Sequence, residues 1–147
     1  MKNVDYALAS LRDQLGISTL DFDEDGDLTL IFNGTILVNI ARMDDYTLEF
    51  WTTLEGIGHP SNPEVLRRLL EANYLGEGTG NGCVALAPGM DDIILCERID
   101  LRVLDEKQFA DCIEMFLEHA EFWNLGEAAI FGTSDQTPAA DTLSLRA

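Results

Sequence analysis

Two spacings of apolar residues alternate along the chain. Val4, Ala7, Leu8, Leu11 and Leu15 recur at three- and four-residue intervals behind Asn3, a residue suited to cap a helix, and Gly16 follows as a stop. This predicts a first helix over about 3–15. The period then becomes two. Short runs at 19–23, 28–33, 35–42 and 46–54 are separated by Asp-Glu-Asp-Gly, Asn33-Gly34 and Met43-Asp44-Asp45, and Asn-Gly is a strong two-residue hairpin signal. An antiparallel meander is expected. In its last run Tyr46, Leu48, Phe50 and Leu54 fall on one side and Thr47, Glu49, Trp51 and Thr53 on the other, which leaves the Trp51 ring on the wetter face.

Helical spacing returns after residue 60. Asn62 as cap and Pro63 at the first helical position open a second helix with Leu66, Leu69, Leu70 and Asn73 on or near one stripe, closed by Gly76. The runs CVALA and DIILCERI flank a turn at Pro88 to Asp92 and read as a second hairpin. The last helix is marked by Asp105 as cap, Gln108 completing a capping box, and Leu104 placed to staple onto Phe109. Its buried stripe is Phe109, Cys112, Ile113, Phe116, Leu117, Ala120 and Trp123, while Asp111, Glu114, Glu118 and Glu121 face water. Beyond Trp123 the pattern fades.

Helix, meander, helix, hairpin, helix is an α+β order, α-β-β-β(β)-α-β-β-α, in which helices cover one face of a twisted antiparallel sheet. The first strand of the meander could be only a turn leading into the sheet. The 147 residues suit one domain, assigned to 1–125, with 126–147 as a mobile C-terminal extension. That extension carries Ile130 and Phe131 as its large apolar pair, and could contact a partner, cover an empty groove or be inert.

Charge narrows the partners. With 27 acidic against 9 basic residues the net charge is -18, a surface that repels phosphate backbones and anionic lipid alike. Nucleic acid and membrane are therefore poor partners. Asp5, Arg12 and Asp13 interrupt the amino-terminal apolar positions, so no signal peptide is expected, and no later run approaches membrane-spanning length. Cys83, Cys96 and Cys112 lack C-x-x-C spacing, each sits within an apolar pattern, and they read as reduced core thiols, in keeping with a cytoplasmic protein.

Candidate chemistry is sparse. Asp21, Asp23, Asp25 and Gly26 match the opening of a calcium-binding loop, but its twelfth position is Phe32 and a strand pattern follows. A solvated turn is the better account. The glycines of the run 76–82 follow a helix and bring no Lys, which argues against phosphate binding and for a flexible connector. His59 and His119 belong to no ligand or catalytic set, and neither G-x-S-x-G nor S-x-x-K occurs. No catalytic residue, cofactor site or metal site is assigned, and the chain is not expected to be an enzyme.

Several stretches in one order carry a family resemblance over about 3–124. They are the opening helix ending in LG, FDEDGDLTLIFNG, YTLEFWTTLEGIGHP, PEVLRRLLEANYLGEGTGNGCVALAPG, and ILCERIDLRVLDEKQFADCIEMFLEHAEFW. Together they resemble the class I type III secretion chaperones, the Tir-chaperone-like family of small acidic bacterial proteins that hold virulence effectors ready for export. The resemblance implies a homodimer without nucleotide or metal, kept in the bacterial cytoplasm. Each copy would bind the amino-terminal segment of an effector in extended, non-globular form, with the ATPase of the secretion apparatus as a candidate further partner.

Physical chemistry makes such binding reasonable, since an extended segment can add to a sheet edge and drop apolar side chains into grooves. The effector-binding residues assigned on this basis are Leu8, Leu11, Ile31, Leu37 and Trp51, and the dimer anchors Leu66, Leu69 and Leu70. Each could instead pack within its own chain, because core and interface positions look alike in a sequence. Two rival functions fit the same residues. One is a regulator of the same fold that sequesters a transcription factor or another chaperone; the other is an acidic mimic of nucleic acid, whose binding salt would weaken strongly.

Overall fold

The computed structural model describes residues 2–125. Helix α1 spans Val4–Leu15, with the Asn3 side chain accepting the Tyr6 amide and Gly16 closing it in the left-handed region at φ 68°. Strands β1 (Asp27–Phe32), β2 (Ile36–Arg42) and β3 (Thr47–Thr53) follow, then helix α2 (Pro63–Ala72), strands β4 (Cys83–Leu86) and β5 (Ile93–Asp100), and helix α3 (Glu106–Asn124). The expected α+β order is thus observed, with three strands in the meander. The sheet is antiparallel throughout, in the order β1-β2-β3-β5-β4, so β1 and β4 are its edges.

The run 19–23, expected as a possible strand or a turn leading into the sheet, forms no strand and leads into a turn at 24–25. Asp23 accepts the amides of Asp25 and Asp27 at 2.9 Å each, and the Arg12 guanidinium holds the Leu20 carbonyl at 2.6 Å. Side chains thereby satisfy backbone groups that a ladder would otherwise need. The β1–β2 hairpin turns on Asn33 and Gly34 at φ 51° and 71°, the pair of positive angles that its tight turn requires.

Alternation decides the two faces of the sheet. Leu28 and Leu30, Ile36, Val38 and Ile40, Leu48 and Phe50, Val84, and Leu95 and Ile99 point inward and are buried, in one core with the helices. Phe50 lies at its centre, edge-to-face against Phe109 and Phe116 of α3 with centroids 6.4 and 6.0 Å apart. Helix α3 begins with the expected capping box between Asp105 and Gln108. Helix α1 is tied to the β2–β3 turn by the Val4 amide on the Asp45 carbonyl and by Arg42, which bridges Asp5 and Asp45.

Two local features differ from the sequence expectation. Helix α2 ends at Ala72 rather than running to Gly76, because Asn73 turns its side chain onto β4: it accepts the Val84 amide at 2.8 Å and donates to the Val84 carbonyl at 3.1 Å. The glycine run 76–82 is a packed element and not a flexible connector. The Gly78 amide bonds the Ala72 carbonyl, and the Gly78 carbonyl accepts the indole N–H of buried Trp123 at 2.8 Å. A Cβ on Gly78 would lie 2.8 Å from Ala72 Cβ, and one on Gly82 would lie 2.6 Å from the Cys96 carbonyl oxygen. These glycines therefore serve close backbone approach.

Candidate functional site

The outward face of the sheet is left uncovered by the described residues: every position that alternates away from the core is exposed or half-buried. Its apolar content is concentrated. Ile31 on edge strand β1 is 66% exposed and pairs with Leu37 on β2, itself 48% exposed. Trp51 on β3 is 36% exposed and sits between Asn39 and Cys96 in register. Ile94 pairs with Thr53 on one side and Ala85 on the other, which carries the apolar band across to the far edge.

Charge borders this band. Arg98 donates to Glu49 across β3 and β5, with Nε at 2.9 Å, and the Thr29 hydroxyl bonds Asn39. Beside Leu37 an open depression of about 580 Å³ runs to the end of α3, lined by Thr35, Thr53, Glu55, Glu121, Asn124 and Leu125 among others. The face thus combines an unpaired strand edge with a row of large apolar groups, the two features an extended peptide needs for backbone pairing and side-chain anchoring.

The structure separates the residues assigned from the sequence. Ile31, Leu37 and Trp51 come together on the open face. Leu8 and Leu11 do not join them: they are 6% and 2% exposed, on the side of α1 turned into the core, and so drop out of the candidate surface. On α2, Leu66 and Leu70 face solvent and Leu69 is 7% exposed within its own core, so Leu69 offers no surface to a second copy. Sequence reasoning missed Ile94 and Ala85 on the sheet face, although the two-residue alternation within the second hairpin pointed outward at both. It also missed Tyr74 and Leu75, 64% and 84% exposed beyond the end of α2. Leu66, Leu70 and Tyr74 line a second depression, of about 690 Å³, with Pro63, Arg67, Glu71 and Glu77.

The other sequence candidates have structural duties. Asp23 organises its turn, His59 bonds Ser61 through Nδ1, and buried His119 bonds the Met115 carbonyl at 2.8 Å. Among the described residues no group of three or more His, Cys, Asp or Glu side chains is arranged to hold a metal ion. No helix among them is long and apolar enough to cross a membrane.

A family model for the Tir chaperone protein (CesT) family matches residues 6–124, the span that holds the whole sheet and nearly all of the three helices. The chain belongs to the Tir chaperone protein family. This is a family of chaperones, which is not an enzyme class. No curated protein sequence matches the chain. Solved structures share the family fold. A chain of the HopA1–SchA chaperone–effector complex is 17% identical with a TM-score of 0.68, covering 83% of this chain and 93% of that one. A chain of the ExsC–ExsE complex is 22% identical with a TM-score of 0.67, covering 83% and 91%. The Yersinia pestis type III secretion chaperone SycH, solved with a stable fragment of YscM2, is 18% identical with a TM-score of 0.62, covering 80% and 97%. At these identities the likeness concerns the fold.

Proposed function

We propose that this protein is a type III secretion chaperone that binds the amino-terminal segment of an effector in extended form and keeps it soluble and competent for export. The observation that carries this reading is the uncovered sheet face with Ile31, Leu37 and Trp51 beside the open edge of β1, in a chain of the Tir chaperone family. The client's backbone adds along the edge and its apolar side chains settle on the band. Ordering an unfolded client costs a few kcal/mol, and burying apolar strips at roughly 25 cal/mol per Å² offsets that cost without nucleotide. On this reading the protein is not an enzyme, works in the bacterial cytoplasm before export, and acts as a homodimer through Leu66, Leu70 and Tyr74 of the α2 region.

The test is capture of the tagged full chain from its native host, identification of the co-eluting protein, and titration of that client's amino-terminal segment. Trp51→Ala combined with Leu37→Ser is expected to weaken binding about tenfold or more while circular dichroism stays unchanged. Binding should survive high salt, because the contact is apolar. Loss of binding in salt together with indifference to the double variant would reject this reading in favour of charge mimicry, and a co-eluting transcription regulator would reassign the same face to sequestration.

A further inference from the structure

Cys83 on edge strand β4 and Cys96 on β5 are direct register partners, and their Sγ atoms lie 3.5 Å apart on the outward face of the sheet. Both are free thiols, but neither is the core thiol the apolar pattern suggested: Cys83 is exposed and Cys96 half-buried, because the alternation of β4 and β5 turns both away from the helices. Partners in an antiparallel ladder have Cα atoms about 4.5 or 5.5 Å apart, and both spacings fall within the range of about 4.4–6.8 Å that a disulfide accepts. The sulfurs need to close only from 3.5 Å to the bonding distance of about 2.05 Å, a movement within reach of side-chain torsion. The third thiol, Cys112, sits on α3 near the inward-facing Glu97, on the opposite side of the sheet.

We propose that Cys83 and Cys96 form a thiol-modification site, a dithiol that a low-molecular-weight disulfide such as glutathione disulfide converts into a cross-strand bond tying edge strand β4 to β5. Cys83, the exposed sulfur, opens the reaction: its thiolate attacks one sulfur of glutathione disulfide, that bond breaks, and the first glutathione leaves as thiolate. Cys96 then gives its proton to solvent and attacks the Cys83 sulfur of the mixed disulfide, which expels the second glutathione. The two protein thiols lose two electrons and two protons, and glutathione disulfide gains them as two glutathione thiols. Burial, reinforced by the hydrogen bond to Cys83, pushes the Cys96 thiol up, so the exposed Cys83 makes the first attack, and its conversion to the mixed disulfide removes the thiol hydrogen bond that helped hold the Cys96 proton.

Formation of the bond does not rest on the client-binding reading, since the thiol chemistry proceeds with or without a client. The full chain is equilibrated in glutathione redox buffers, quenched with acid, alkylated under denaturing conditions and weighed. The expected species carries one alkyl label, on Cys112, and apart from that label is two hydrogens lighter than the reduced chain, with a peptide joining Cys83 to Cys96. Dithiothreitol should restore all three thiols. Cys96→Ser should stop at a glutathione adduct on Cys83, and Cys83→Ser should form no intramolecular bond. Amide exchange across Cys83–Leu86 should slow by about tenfold or more on oxidation. Three thiols that stay free, an adduct on Cys83 that never resolves in the parent protein, a bond to Cys112, or a bond that leaves β4 exchange unchanged would each overturn the proposal.

Discussion

Glu97 points into the core from the middle of β5, across from Phe50 in register, and is only 5% exposed. Burial raises its carboxyl to about 7, against a hydrogen bond from Asn81 that acts to lower it. An acid raised in this way is neutral in both folded and unfolded states under acidic conditions. As pH climbs past 4.5 the unfolded chain ionises first, so stability is lost progressively up to about 7. Glu97→Gln, which mimics the neutral form, should match the parent near pH 4.5 and melt about 3–6 °C higher at pH 8 by differential scanning calorimetry. The other carboxylates act equally on both proteins and cancel in the difference. At the same scale, the exposed Arg102 holds Asp100 down to about 2, so that pair persists through any ordinary pH range.

Elements are joined in this fold by a few directional contacts laid over a shared core. Asn73 is the clearest of them, since its one side chain satisfies both the amide and the carbonyl of Val84 and thereby docks the end of α2 on an edge strand. Asn73→Ala leaves both backbone groups without that partner at a part-buried site, and should cost about 2 kcal/mol in urea unfolding. The loss should appear locally too, as faster amide exchange in β4 than in β1. The glycine loop that follows adds close backbone contact to its own hydrogen bonds. Gly82→Ala would drive its Cβ against the Cys96 carbonyl, a backbone atom that yields only if β4 and β5 separate, and should destabilise by about 1–3 kcal/mol in the same assay.

At the scale of the whole molecule, a chain of net charge -18 repels a second copy of itself. Self-association therefore needs an apolar surface strong enough to outweigh that repulsion, and the Leu66, Leu70 and Tyr74 cluster is the exposed candidate on α2 and its following turn. Leu66→Asp with Leu70→Asp adds charge on that surface without touching the core. Sedimentation should show the parent as a dimer whose affinity rises with salt, and the double variant as a folded monomer, its dissociation constant raised by about a hundredfold or more. A variant at Leu69 cannot serve this purpose, because a charge there is buried within one copy and unfolds it.

Secondary structure was legible because its signals are local. Caps at Asn3, Asn62 and Asp105, the Asn33-Gly34 turn and the alternation in β3 each act within a few residues, and each stands where the pattern placed it. The family was legible for a related reason, as short motifs in a fixed order. What a residue does beyond its own element was not legible: Leu8 and Ile31 are both apolar residues on regular elements, yet one is core and the other surface. The tail from 126 onward, with Ile130 and Phe131, lies outside the described residues. The order of helices and strands, the acidic character and the family follow from spacing and composition, and so were readable along the chain. Packing in three dimensions buried Leu8 and Leu11, turned Leu69 inward and brought Cys83 to Cys96. Burial is set by contacts between segments distant in the chain, and no local pattern encodes them.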